Sequence, residues 1–173
     1  MSLQKSIVTL APKKVIGLEV RTSFQNECNP LTAKISPLIG RYFQEGVSQK
    51  IQDKTAPGVM IAGYKTYDLS FQRGAAGYEG PYTYFIGDEA SSLESVSEGL
   101  ITTEIPGGVY VKFTTSPGPM PLIIIHAWQE IWQMSEGDLG GKRTWGVDFE
   151  VYDERAQNPM AAVIDIYVGT EAS

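Results

Sequence analysis

Ile7, Thr9, Pro12 and Val15 reappear further along the chain as Ile101, Thr103, Pro106 and Val109, at one offset of 94 residues (101 − 7 and 109 − 15). Later, Tyr64-Lys-Thr-Tyr-Asp reappears as Phe149-Glu-Val-Tyr-Asp. An internal repeat constrains a fold strongly, because each copy must bury its apolar face against another. The period is too long for a solenoid, and the unit occurs twice. Both halves read hairpin, helix, strand, strand. In the first, Ile7 to Leu10 and Val15 to Val20 are strands joined around Pro12, which suits a turn and would break a strand interior. Asn29-Pro-Leu-Thr opens a helix, with Asn29 or Thr32 as its cap. Leu38, Ile39, Tyr42 and Phe43 then recur at helical spacing. Val59 to Tyr67 and Tyr82 to Ile86 are strands. In the second half, Ile101 to Ile105 and Val109 to Thr115 form a hairpin around Pro106-Gly-Gly. A helix from Leu122 to Met134 and strands over Thr144 to Tyr152 and Ala161 to Val168 follow. The polar stretch Asp88 to Gly99 joins the halves. The expected fold is α+β: a duplicated ββαββ module of eight strands and two helices about a pseudo-twofold axis, with a cleft between the halves. Residues 1–173 are expected to be one domain, with repeats of about 1–88 and 99–173. In this alignment Lys65 takes the place of Glu150.

Gly146 to Glu154 alternates like a half-buried strand, with Val147, Phe149 and Val151 on one face and Asp148, Glu150 and Tyr152 on the other. If the second face is solvated, this is an ordinary outer strand. If it lines a pocket, Glu150 is a fixed negative charge among aromatic rings, a receptor for a cation. Tyr67 and Tyr152 are repeat mates, each followed by Asp, and each offers a ring and a hydroxyl. Trp128 and Trp132 stand one turn apart, a spacing that suits a core as well as a pocket wall. Tyr110 and Tyr167 are further candidates for the lining. A cation over such rings gains about 0.5–2 kcal/mol.

Composition closes several doors. The net charge is −6, without a basic stripe, which disfavours nucleic-acid binding by this chain alone. Cys28 is the only cysteine and His126 the only histidine, so an internal disulfide and paired-cysteine zinc sites are excluded, and no metal or cofactor is expected. No apolar run approaches the roughly 20 residues of a membrane span, and the start has no signal-peptide core, so a cytoplasmic protein is expected. The glycines from Gly74 to Gly80 lack the lysine and the strand-to-helix setting of a phosphate loop. They read as a surface loop or as a lid over the cleft.

Four motifs in order then carry a resemblance: Ile105-Pro-Gly-Gly-Val-Tyr-Val-Lys-Phe, Trp128-Gln-Glu-Ile-Trp, Asp148-Phe-Glu-Val-Tyr-Asp and Val163-Ile-Asp-Ile-Tyr-Val. This pattern resembles the GyrI-like, or AraC-type effector-binding, family. It is similar to the ligand domains of multidrug-sensing regulators and to stand-alone relatives, some carried on mobile gene cassettes. The resemblance implies a curved antiparallel sheet with two helices and a cleft for large, flat, lipophilic cations, with Glu150 aligned to the glutamate that faces the charge. Some relatives hydrolyse strained electrophilic compounds at the same cleft. The sequence lacks a helix-turn-helix segment ahead of the domain, so a link to transcription would need a partner regulator. Three function classes follow: a binding domain for cationic aromatic small molecules, a hydrolase in which Glu150 activates water, and a protein-interaction module, which includes a homodimer.

Overall fold

The computed structural model describes residues 2–73 and 77–172. In chain order the elements are β1 (Gln4–Leu10), β2 (Lys13–Ser23), α1 (Phe24–Glu27), α2 (Ile35–Gln44), β3 (Met60–Lys65), β4 (Gln72–Arg73), β5 (Gly77–Tyr78) and β6 (Pro81–Ala90). The second half holds β7 (Ile101–Ile105), β8 (Gly108–Thr114), α3 (Leu122–Trp132), α4 (Glu136–Leu139), β9 (Asp148–Tyr152) and β10 (Asp165–Gly169). Eight strands form one antiparallel sheet in the order β1-β8-β10-β9-β3-β6-β2-β7, while β4 and β5 pair separately. The α+β duplication expected from the repeat is present, with two one-turn helices, α1 and α4, added to the two long ones.

The two expected hairpins do not form. β1 pairs with β8, and β2 pairs with β7, so each half lends a strand to the other. β1 and β7 are the two edges of the sheet. Only Ala11-Pro12 connects β1 to β2, and only Pro106-Gly107 connects β7 to β8. Three Cα steps span about 11 Å at most. Each link must nevertheless pass from one edge of the sheet to the strand beside the other edge. The sheet therefore curls until the two links touch: a Cβ on Gly107 would lie 2.8 Å from Cδ of Pro12. Glycine is required there by that approach.

α2 and α3 share one face of the sheet. Leu38 and Tyr42 of α2 pack with Ile16, Leu18 and Ile86, while Ile123, Trp128 and Ile131 of α3 pack with Val111, Phe113 and Ile166. On the other face, inside the curl, Val15, Ile61, Phe85, Ile105, Tyr110 and Phe149 form a third cluster.

These faces correct the repeat alignment. Ile16 and Leu18 under α2 correspond to Val111 and Phe113 under α3, and Val15 to Tyr110, an offset of 95 (111 − 16, 113 − 18, 110 − 15). An offset of 94 would put every matched side chain on the wrong face, because a strand alternates with period two. By the same rule Lys65 is not the counterpart of Glu150. The residue directly opposite Glu150 in the ladder is Ala62. Lys65 points to the other face, 5.8 Å from the Phe85 ring centroid, and pairs with Glu19 at 2.7 Å.

The start of α2 also differs. Its N-cap is Lys34, which makes no side-chain cap. Glu27 caps it from α1 instead, accepting from the backbone N–H of Lys34 at 2.9 Å and of Ile35 at 3.3 Å. Asn29 serves a turn, accepting from Leu31 N–H at 3.0 Å.

Candidate functional site

β9 crosses the middle of the sheet and has Asp148, Phe149 and Glu150 buried in succession. Glu150 is 2% exposed. Its Oε1 accepts from the Tyr64 hydroxyl of β3 at 2.9 Å and from the Trp128 indole N–H of α3 at 3.2 Å. Its Oε2 accepts from the Tyr152 hydroxyl at 2.8 Å. Among the described residues no lysine, arginine or histidine pairs with it; every ion pair of the sheet goes elsewhere. Burial pushes its carboxyl above the usual carboxylate range, and the three hydrogen bonds pull the other way. Burial, with the neighbouring carboxylate, holds the phenols of Tyr64 and Tyr152 far above their ordinary values, so they remain neutral donors.

In front of these rings lies a cleft between α1 and α3. Its larger part is about 350 Å³, lined by Phe24, Glu27, Tyr64, Tyr82, Trp128 and Trp132 among others, with no lysine or arginine on its wall. A narrower pocket of about 50 Å³ continues it, sharing Tyr64, Tyr82 and both tryptophans and ending on Tyr67, Tyr78 and Arg143. The rings meet edge to face: Tyr64 lies 5.3 Å from Trp128 and 5.6 Å from Tyr82, and Phe24 lies 6.2 Å from Trp132. Glu150 is not itself on the wall. It sits directly behind Tyr64 and Trp128.

At the narrow end stands a second buried carboxylate on the same face of β9. Asp148 is 0% exposed, and unlike Glu150 it has a cation. Arg143 Nη2 lies 2.5 Å from Oδ2, the Tyr67 hydroxyl donates to the same oxygen at 2.7 Å, and Gly169 N–H donates to Oδ1 at 3.0 Å. The guanidinium lies 3.8 Å from the Trp145 ring centroid and 6.0 Å from that of Tyr67. Burial disfavours its charge, but Asp148 and Tyr67 outweigh that and hold it above its usual value.

Residues 6–169 match the model of Cass2, the integron-associated effector binding proteins. The chain belongs to the Cass2 family. YobU of Bacillus subtilis (strain 168), which bears the name of a transcriptional regulator, is 28% identical over 162 residues, 94% of this chain and 94% of its own. An integron cassette protein from the mobile metagenome of Vibrio cholerae shares the fold with a TM-score of 0.71 at 24% identity, over 98% of this chain and 97% of that one. SAV2435, solved bound to tetraphenylphosphonium, shares it with a TM-score of 0.70 at 17% identity, over 99% and 95% of the two chains. The GyrI-like resemblance of the sequence thus stands and narrows to Cass2.

Within this Cass2 fold the residues picked from sequence divide by face. Glu150, Tyr152 and Trp128 form one hydrogen-bonded group, and Trp132 and Tyr67 line the adjoining cleft. Tyr110 and Tyr167 do not join them. Tyr167 stacks on Phe149 at 4.7 Å and Tyr110 meets Phe149 at 5.6 Å, both on the opposite face. Alternation explains this: the cleft-side neighbours in β8 and β10 are Val111, Ile166 and Val168. Sequence reasoning missed Tyr64, Tyr82, Phe24 and Arg143. The polar face of Asp148, Glu150 and Tyr152 was visible, but the residues that meet it come from β3, β6, α1 and a glycine-flanked loop. The lid reading centres on a segment of which residues 74–76 lie outside those described; Tyr78, beside it, packs on Tyr67 at 5.0 Å and on Trp145 at 5.6 Å. Among the described residues no helix is long and apolar enough to cross a membrane.

Proposed function

We propose that the cleft binds lipophilic aromatic cations, with Glu150 as the fixed counter-charge behind its rings. One observation carries this reading: Glu150 is a fully enclosed carboxylate held by three neutral donors and no cation. A buried charge without a partner is costly, and a ligand that supplies the opposite charge offsets the cost. The wall in front of it suits such a ligand, being aromatic, with Glu27 at its side and no basic residue. A cation resting on Tyr64 and Trp128 meets the negative ring faces and the carboxylate immediately behind them. The tetraphenylphosphonium held by SAV2435 is a ligand of this chemical kind, and it supports the choice of probe.

Calorimetric titration with tetraphenylphosphonium and with tetraphenylborate, equal in shape and opposite in charge, tests the reading. The cation should bind saturably and the anion should not. Glu150→Gln should weaken the cation by roughly 1.5–3 kcal/mol, about ten- to a hundredfold. Equal affinity of wild type and variant would remove Glu150 from the mechanism.

A further inference from the structure

We propose that Arg143 is a built-in cation that restricts the cleft to singly charged ligands, so that its removal admits dications. The inference rests on the reading of the cleft as a cation site. Asp148 and Glu150 stand two residues apart on one strand, face the same side and are both buried. Two negative charges in one aromatic chamber would favour a doubly charged ligand. The chain has already answered one of them. Arg143 neutralises Asp148 at 2.5 Å and sits over the Trp145 ring, 3.8 Å from its centroid, which is the chemistry of a cation in an aromatic box. Trp145 adopts φ 56°, a left-handed conformation that a bulky residue seldom takes, and so presents its ring to the guanidinium. Arg143 also lies on the wall of the narrow pocket that holds Tyr64, Tyr82 and Trp128, so no partition separates it from the rings that cover Glu150. Among the described residues its Nε–H is buried without an acceptor, so its donors are not all engaged.

A ligand that fills the chamber from Tyr64 toward Tyr67 therefore meets opposite signs at its two ends. One positive charge is matched at Glu150. A second, reaching the narrow end, meets the guanidinium. The favoured class is the aromatic monocation whose far end is neutral or carries a hydrogen-bond acceptor. Bis-cations of the same ring system are rejected, a discrimination by repulsion more than by added attraction.

Ethidium and propidium provide the test, because they share a ring system and propidium carries a second, quaternary charge on its side chain. Binding of each is followed by fluorescence and calorimetry. Wild type should prefer ethidium by about tenfold or more, the scale of a like-charge penalty in a partly dry site. Arg143→Met should shift the ratio toward propidium by at least about tenfold, since the repulsion goes and Asp148 becomes a second receptor. Because that variant leaves Asp148 unpaired and can unfold, Arg143→Met with Asp148→Asn is measured beside it. This neutral pair should shift the ratio the same way by a smaller factor. Arg143→Lys, which keeps the charge, should keep the preference for ethidium. A wild type that prefers propidium, or an unchanged ratio in the neutral double variant, would overturn the role of Arg143 while leaving the cation site standing. Failure of the wild type to bind either dye or tetraphenylphosphonium would sink the cation site and this inference together.

Discussion

Glu150 is placed where its charge is unwelcome, and that sets a stability against pH. Burial raises its folded-state value, whereas in the unfolded chain it titrates near 4.3. A carboxyl whose value is raised on folding contributes stability in full below its unfolded value. That contribution disappears as pH climbs through the folded value. Glu150→Gln, which is neutral throughout, should therefore melt higher than wild type at pH 7 to 8, and the gap should narrow toward pH 4. Thermal melts of both proteins across that range test it; a wild type that is the more stable of the two at pH 8 would show that the three donors outweigh the desolvation. The substitution expected to weaken cation binding is thus also expected to strengthen the fold. The alternation of Asp148, Glu150 and Tyr152 made this carboxylate legible from sequence. Of its two other donors, Trp128 was a candidate by residue type but its bond to Glu150 was not foreseen, and Tyr64, 86 residues away, was missed, because only the packing of α3 and the sheet order bring them to the carboxylate. Tyr110 and Tyr167 show the reverse limit. Their residue type suited the site, but nothing local says which face of β8 and β10 the cleft occupies.

Glu27 does for α2 what its own N-terminal residues do not. Lys34 caps without a side-chain bond, and Pro37 sits in the first turn, where its missing N–H costs nothing. The exposed N–H groups of Lys34 and Ile35 turn to the Glu27 carboxylate, which the Thr22 hydroxyl steadies at 2.5 Å. Glu27→Ala should cost about 1–2 kcal/mol, the scale of a lost cap with a charged acceptor, read as a lower urea midpoint at unchanged slope. No measurable change would mean that water replaces the cap. The helix itself was legible from the spacing of Leu38, Ile39, Tyr42 and Phe43. Its start was not, since the cap is supplied by a residue eight positions before Ile35 and belonging to another helix. Glu27 also lies on the cleft wall, so the element that frames the cleft and the charge that lines it share one side chain.

At the scale of the molecule the repeat predicted the inventory of elements and missed their partnership. Eight strands and two long helices are implied by the pattern of each half. That β1 and β7 are exchanged between the halves is not set by the short links Ala11-Pro12 and Pro106-Gly107, whose length serves a hairpin equally well, and no local propensity records it. An isolated half would leave its own outer strand, β1 or β7, without any partner, and would bare one edge of β2 or β8 and of β3 or β9. Residues 1–95 alone, or 96–173 alone, should therefore fail to give a cooperative thermal transition as monomers. Circular dichroism and sedimentation of each half test this, and a half that melts cooperatively as a monomer would show that the exchange is not needed for folding.

The strand exchange should make the peptide bonds between the halves dispensable. Ser91 to Leu100 is an irregular, mostly exposed stretch that carries only Leu93, Val96 and Leu100 against the core. What holds the two copies together is the central pairing of β3 with β9 and the mutual grip of β1 on β8 and of β7 on β2, closed where Pro12 meets Gly107. The chain is in effect a heterodimer whose subunits happen to be tethered. Severed there, the two pieces should still associate, and a molecule bound in the cleft between them would be the third member of the assembly.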